Sequence, residues 1–153
     1  MSFKIKFITE SNRIEGLFHE PTDKEIAEYD RFMALAEVTV DDLKKFVKVY
    51  QPNAKLRTKR GMDVSVGGIY PPPQGGPKIK KDLEEILETA NVFRWHGVWA
   101  HKVHHRYESL HPFMDGNGRS GRILWLWMMG EEKAHRGFLH EWYYQSLQFG
   151  RVR

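Results

Sequence analysis

Residues 123–129 read Ile-Leu-Trp-Leu-Trp-Met-Met, seven apolar side chains in succession with no polar face. A helix apolar all round has to be enclosed by other elements, and a run this short falls far below the ~20 residues that span a bilayer. It therefore belongs at the centre of a bundle, and the rest of the chain supplies the shell. Ile26, Tyr29, Phe32, Met33 and Ala36 recur at helical spacing after the restart at Pro21-Thr22-Asp23. Leu43, Phe46, Val47 and Tyr50 do the same from Val40 until Pro52-Asn53. From Lys78, Ile79, Leu83, Ile86, Leu87 and Ala90 form a third stripe. A fourth helix is predicted from a break at His96-Gly97 up to His111, Gly130 ends the central run, and a last helix is expected over 139–147. At the amino end Phe3, Ile5 and Phe7 alternate with lysines, the pattern of a short strand or of an ordered tail with one face packed. The expectation is an all-α, compact helical bundle forming a single domain over 1–153, long enough to bury roughly 68–70% of its unfolded surface.

Immediately before the apolar run stands His111-Pro112-Phe113-Met114-Asp115-Gly116-Asn117-Gly118-Arg119-Ser120-Gly121-Arg122. Gly116 and Gly118 can take φ > 0 and leave room for close approach, so the amides between them can converge on an anion. With Gly118 in the first turn of the central helix, that helix would add its free N–H groups and positive dipole end. Arg119 and Arg122 are three apart, placing two guanidinium forks on the same first turn. Asp115 offers one carboxylate beside the anion, the usual way in which Mg²⁺ is shared with substrate phosphates. His111, with an unperturbed pKa near ~6.5, can accept a proton from an attacking hydroxyl. Singly, each of these residues is as readily a turn, a structural histidine or a solvated basic face; together they describe one site for a polyphosphate and its metal.

The segment resembles, at every defining position, the H-x-F-x-D/E-G-N-G-R-x-x-R signature of Fic domains. The resemblance implies a helical bundle of the Fic type with a β-hairpin flap over the site, and transfer of AMP from ATP to a Ser, Thr or Tyr hydroxyl of a target protein, possibly itself, with Mg²⁺ (or Mn²⁺) as cofactor. It implies His111 as general base, Phe113 as the anchor of the loop in the core, and Asp115 as metal ligand. Asn117 and the flanking amides of Gly116 and Gly118 would hold the α- and β-phosphates, assisted by Arg119, and Arg122 would pair with the γ-phosphate. Gly118 stands where phosphorylating relatives have Lys, which favours nucleotidyl transfer.

Three further stretches take their meaning from that resemblance. Ser11-Asn12-Arg13-Ile14-Glu15-Gly16 reads on its own as an ordinary capped helix with Ser11 and Glu15 on one face. It is also similar to the S/T-x-x-x-E-G/N inhibitory motif of certain Fic proteins, which implies an inhibitory helix over 9–19 whose Glu15 pairs with Arg122 and displaces the γ-phosphate. Residues 57–77, with β-branched Val64, Val66 and Ile69 before Pro71-Pro72-Pro73, suggest a hairpin turning near Gly67-Gly68 or Gly61-Met62 and then a rigid loop. By resemblance this is the flap, with Val64, Ser65 and Val66 as target-docking positions. Tyr143 and Tyr144 resemble the aromatics that line the adenine pocket, and core packing accounts for them equally well.

Composition narrows the alternatives. Cysteine is absent, so neither disulfides nor thiolate chemistry are available, which fits a reducing compartment. No signal-peptide core is present in residues 1–8 and no stretch suits a membrane, so a cytoplasmic protein is expected. His101 and His105 are spaced like a zinc pair, yet no acidic or Cys partner completes a set nearby; His104 is expected to brace the catalytic loop instead. The net charge of +4 is modest. Lys44, Lys45 and Lys48 lie where an amphipathic helix needs polar residues, and no basic stripe with interleaved aromatics argues for nucleic acid. The reading is an auto-inhibited AMP transferase. Beside it stand a Fic-type enzyme moving UMP or GMP, or removing AMP, and a non-enzymatic basic nucleotide- or nucleic-acid-binding module. The nucleobase, the target and the oligomeric state, a homo-oligomer included, are left open.

Overall fold

The apolar run does lie at the centre. The structure, a computed structural model, describes residues 2–66 and 71–134, and among these the order is α1 (Phe3–Ile14), α2 (Asp23–Met33), α3 (Val40–Tyr50), α4 (Pro77–Val92), α5 (Gly97–Leu110), α6 (Asn117–Met129) and a short α7 (Glu131–Ala134). Eleven of the thirteen residues of α6 are buried, and α1, α2, α3, α5 and α7 all pack on it. Because residues 123–129 have no polar face, none of that run can be left to water. α4 closes the outside against α3 and α5, burying the expected stripe of Ile79, Leu83, Ile86, Leu87 and Ala90.

Local signals set where these helices start and stop. Thr22 and Thr39 each accept a bond from the third helical residue, Glu25 and Asp42, whose carboxylates return to the cap backbone. These two capping boxes fix the entries of α2 and α3. Gly130, at φ 84°, ends α6 where a Cβ would lie 2.8 Å from the Trp95 ring. Trp127, fully buried, donates its indole N–H to the carbonyl of Leu35 at 2.9 Å, and the Arg94 guanidinium lies 4.0 Å over its ring. The central helix is thereby tied to the α2–α3 connection and to the end of α4.

Two expectations are corrected. Residues 3–8 are neither strand nor tail but the first turns of α1, capped by Ser2, whose hydroxyl accepts from the Ile5 N–H. The alternation of lysines suggested period two, but the residues that reach the core are Phe7, Ile8, Ser11 and Asn12, a helical face. The helix also ends sooner than expected: Glu15 is its C-cap and Gly16 turns the chain at φ 80°, so residues 17–19 lie outside it. Second, residues 57–66 and 71–76 form no paired strands, and the β-pairing in this region among the described residues is a single antiparallel bridge from Leu56 to Phe113. The return arm carries Pro71-Pro72-Pro73, which have no N–H to donate to a ladder. Its stem is closed by other means, the Gly75 N–H bonding Asp63 at 2.8 Å and the Gly76 N–H bonding the Arg57 carbonyl at 3.0 Å. The residues expected to form a last helix, Tyr143 and Tyr144 among them, fall outside the described residues.

Candidate active site

The loop between α5 and α6 is shaped before any ligand arrives. His111 follows the last residue of α5 in the left-handed region, φ 51°, an uncommon conformation for a side-chain-bearing residue. Three contacts hold it there. Its N–H donates to the Tyr107 carbonyl at 2.9 Å, its carbonyl accepts from Arg57 Nε at 2.7 Å, and the Leu110 carbonyl accepts from Arg57 Nη2 at 2.8 Å. Arg57 is 0% exposed and its remaining nitrogen, Nη1, binds the carbonyls of Met62 and Pro73. One buried guanidinium thus caps the negative end of α5 and joins the α5–α6 loop to both sides of the 57–76 stem. The adjoining backbone is pinned as well, Arg57 N–H to the Pro112 carbonyl and Met114 N–H to the Lys55 carbonyl, each at 2.9 Å.

The imidazole of His111 has its Nδ1 3.3 Å from the Glu108 carbonyl. A carbonyl only accepts, so this contact favours the proton on Nδ1 and leaves the Nε2 lone pair open. Burial, helped by the Arg57 cation, pushes the ring below the ordinary histidine range, against the opposing bond to the Glu108 carbonyl and the charges of Glu15 and Asp115. The ring is therefore neutral at physiological pH, the state a general base needs.

Gly116 begins α6 from the left-handed region at φ 81°, where a Cβ would also press on Val47 Cγ1 at 3.1 Å. Phe113, 1% exposed, donates its N–H to Asn117 Oδ1 at 2.8 Å, and Asn117 Nδ2 returns a bond to the Phe113 carbonyl at 2.7 Å. The Asn117 side chain is consumed in closing this ring, so what it offers an anion is its backbone N–H. The first intrahelical bond runs from the Ser120 N–H to the Gly116 carbonyl at 3.1 Å. The amides of Asn117, Gly118 and Arg119 precede it and form the positive end of the helix. Asp115 is exposed beside them, one oxygen accepting from the Gly116 N–H at 2.7 Å.

Across this helix end lies the end of α1. Arg122, 1% exposed, donates Nε to the Ser11 hydroxyl, and Nη2 to both the Ser11 carbonyl and Glu15 Oε2, all at 2.9 Å. A Cβ on Gly118 would meet that same Glu15 oxygen at 2.7 Å, so the carboxylate sits directly on the amino end of α6. Arg119 is buried too, its guanidinium 5.0 Å over the Tyr50 ring, and its Nε has no acceptor among the described residues. His104 donates toward the Gly121 carbonyl at 3.1 Å, bracing the first turns of α6 rather than the loop. The structure thus brings His111, Asp115, Gly116, Asn117, Gly118, Arg119, Arg122, Ser11 and Glu15 to one place, with Gly16 turning the chain just beyond. Val64, Ser65 and Val66 lie on the outward limb of the stem, Ser65 exposed and the valines half-buried. The residue that sequence reasoning missed is Arg57, 54 positions before His111, for which no local pattern gives a signal.

A protein helical over its described residues, with free amides at the amino end of its central helix and a neutral imidazole on the turn before it, is the class that this geometry defines. The sequence profile of the Fic/DOC family matches residues 30–129, which include the whole loop, and the chain belongs to that family. The chain is similar to the protein named Protein adenylyltransferase Fic from Aedes aegypti, 39% identical over 67 residues, and to those of the same name from Culex quinquefasciatus, 39%, and Drosophila erecta, 36%. The similar stretch covers 42% of this chain and 13–14% of the insect proteins, so the chain corresponds to a small part of their length.

Proposed function

We propose that the chain is an auto-inhibited protein adenylyltransferase, which moves AMP from ATP to a Ser, Thr or Tyr hydroxyl of a target protein and is held in check by Glu15. The name borne by the similar proteins supports the reaction class. The observation that carries the regulation is the Glu15 carboxylate, 2.9 Å from Arg122 and against Gly118. A carboxylate in that seat competes with a phosphate for the same fork and the same amides. Arg119, whose buried Nε has no acceptor among the described residues, is a second donor with reason to want an anion, since an unsatisfied buried donor costs about 1–3 kcal/mol.

In the reaction, the target hydroxyl gives its proton to His111 Nε2 while its oxygen bonds to the α-phosphorus. The bond from that phosphorus to the bridging oxygen breaks, and pyrophosphate leaves. The amides of Asn117 and Gly118 hold phosphate oxygens, and Arg122 turns from Glu15 to the γ-phosphate. Among the described residues no group of three or more His, Cys, Asp or Glu could hold a metal ion. One exposed carboxylate, Asp115, fits Mg²⁺ held jointly with nucleotide oxygens, and the ion when bound offsets charge on the triphosphate. Val64, Ser65 and Val66 would offer main-chain groups to the target segment. The test is incubation with α-labelled ATP and Mg²⁺. Loss of a competitor worth ~1.5–3 kcal/mol should raise labelling of the Glu15→Gly chain roughly 10- to 100-fold over wild type, and adding His111→Ala should abolish it. Equal labelling of wild type and Glu15→Gly would remove the plug; no label on any protein would remove the transferase.

A further inference from the structure

Beside the catalytic loop, between α3 and the chain that leaves it, runs a groove of about 580 Å³ lined by Lys44, Lys48, Lys55, Lys59, Leu56 and Phe113, among others, with no Asp or Glu. The four lysines are exposed and come from two separate stretches, α3 and the segment after it. None of them forms an ion pair or a side-chain hydrogen bond among the described residues. Lys44 and Lys48 are also four apart on one helix, where like charges are mildly unfavourable. A solvated helix face explains those two, but not the convergence of Lys55 and Lys59 on the same hollow. Such a concentration of unpaired ammonium groups over a concave apolar floor attracts an anionic partner and gives it orientation.

The floor indicates where that partner leads. Leu56 and Phe113 are the residues of the antiparallel bridge, so the groove ends on the catalytic loop, two residues from His111. Phe113 is 1% exposed, so no ring face is offered to a base, and single-stranded nucleic acid would lack its stacking platform. We propose that this groove docks an acidic segment of the protein substrate, placing the hydroxyl that flanks it at His111. This rests on the adenylyl-transfer reading and adds the chemistry of the substrate to it.

The probe is a fluorescein-labelled peptide with one serine beside a run of glutamates, compared with its glutamine counterpart, on the Glu15→Gly chain. Lys44→Glu combined with Lys55→Glu should weaken anisotropy-measured binding of the glutamate peptide by about tenfold, and raise its KM with kcat unchanged. Lys44→Arg with Lys55→Arg should restore both, and binding by the unsubstituted lysines should weaken as salt rises. Binding of the glutamate peptide that ignores both charge reversal and salt overturns the proposal. So does a single-stranded oligonucleotide that displaces the peptide at equal concentration, or equal labelling of the two peptides; in this last case transfer itself stands. Lysine-dependent binding of a peptide that never takes up label leaves the groove in place and removes the transferase reading instead.

Discussion

A base that works at neutral pH has to arrive unprotonated, and under the proposed function two effects arrange this for His111. Burial disfavours the imidazolium, and the Arg57 cation disfavours it further. The transfer rate should therefore rise with pH through an ionisation below ~6.5 and be flat above it. Arg57→Gln removes one of the two causes, so its acid limb should move to higher pH. It should also lower kcat, because the left-handed turn at His111 loses the donor that holds its carbonyl. Several buried carbonyls lose their partner in that variant, a cost of about 3 kcal/mol readable as a fall in denaturant midpoint. At Gly116 the backbone itself is the requirement. Gly116→Ala puts a Cβ on a left-handed residue and against Val47, which should cost about 1–2 kcal/mol and most of the nucleotide affinity.

Between helices, two of the polar ties have consequences that can be measured directly. Asn12 Nδ2 donates to Glu25 Oε2 at 2.8 Å in a buried contact, so the capping box of α2 also fastens α1. Asn12→Ala should loosen α1 and raise labelling above wild type but below Glu15→Gly, with faster amide exchange over 3–16. His104 ties α5 to α6, and burial pushes its imidazole down to about 3. Since the unfolded ring titrates near ~6.5, the folded chain binds fewer protons between those values. This contribution to stability is complete above the unfolded pKa and is lost as pH falls toward the folded one. His104→Asn should flatten the decline of Tm between pH 7 and pH 4. The elements that sequence reasoning placed correctly, α2, α3, α4, α5 and α6, are those in which breaks in the chain and apolar spacing agree. It failed where two periods competed, at Phe3, Ile5 and Phe7, while the hairpin suggested by the β-branched residues forms no paired strands among the described residues. Residues 111–122 were readable because their chemistry is local. Arg57 was not, because its partners come together only once the chain has folded.

For the molecule as a whole, the core and the site share one helix. Trp127→Ala should cost about 3–5 kcal/mol by cavity formation, and nucleotide affinity should fall with it, since the amides at the other end of α6 lose their fixed position. Arg122 extends this economy to regulation. It lies in the interior, and its partners include Ser11 and Glu15, both on α1. Under the proposed function, departure of α1 takes these acceptors from a buried cation and an incoming triphosphate supplies others, so nucleotide entry and helix release are coupled. Such linkage has to run both ways: a protein or peptide that captures the freed amino-terminal segment must tighten ATP by the same factor by which ATP eases that capture. Titrating either one in the presence of the other would measure a single number twice.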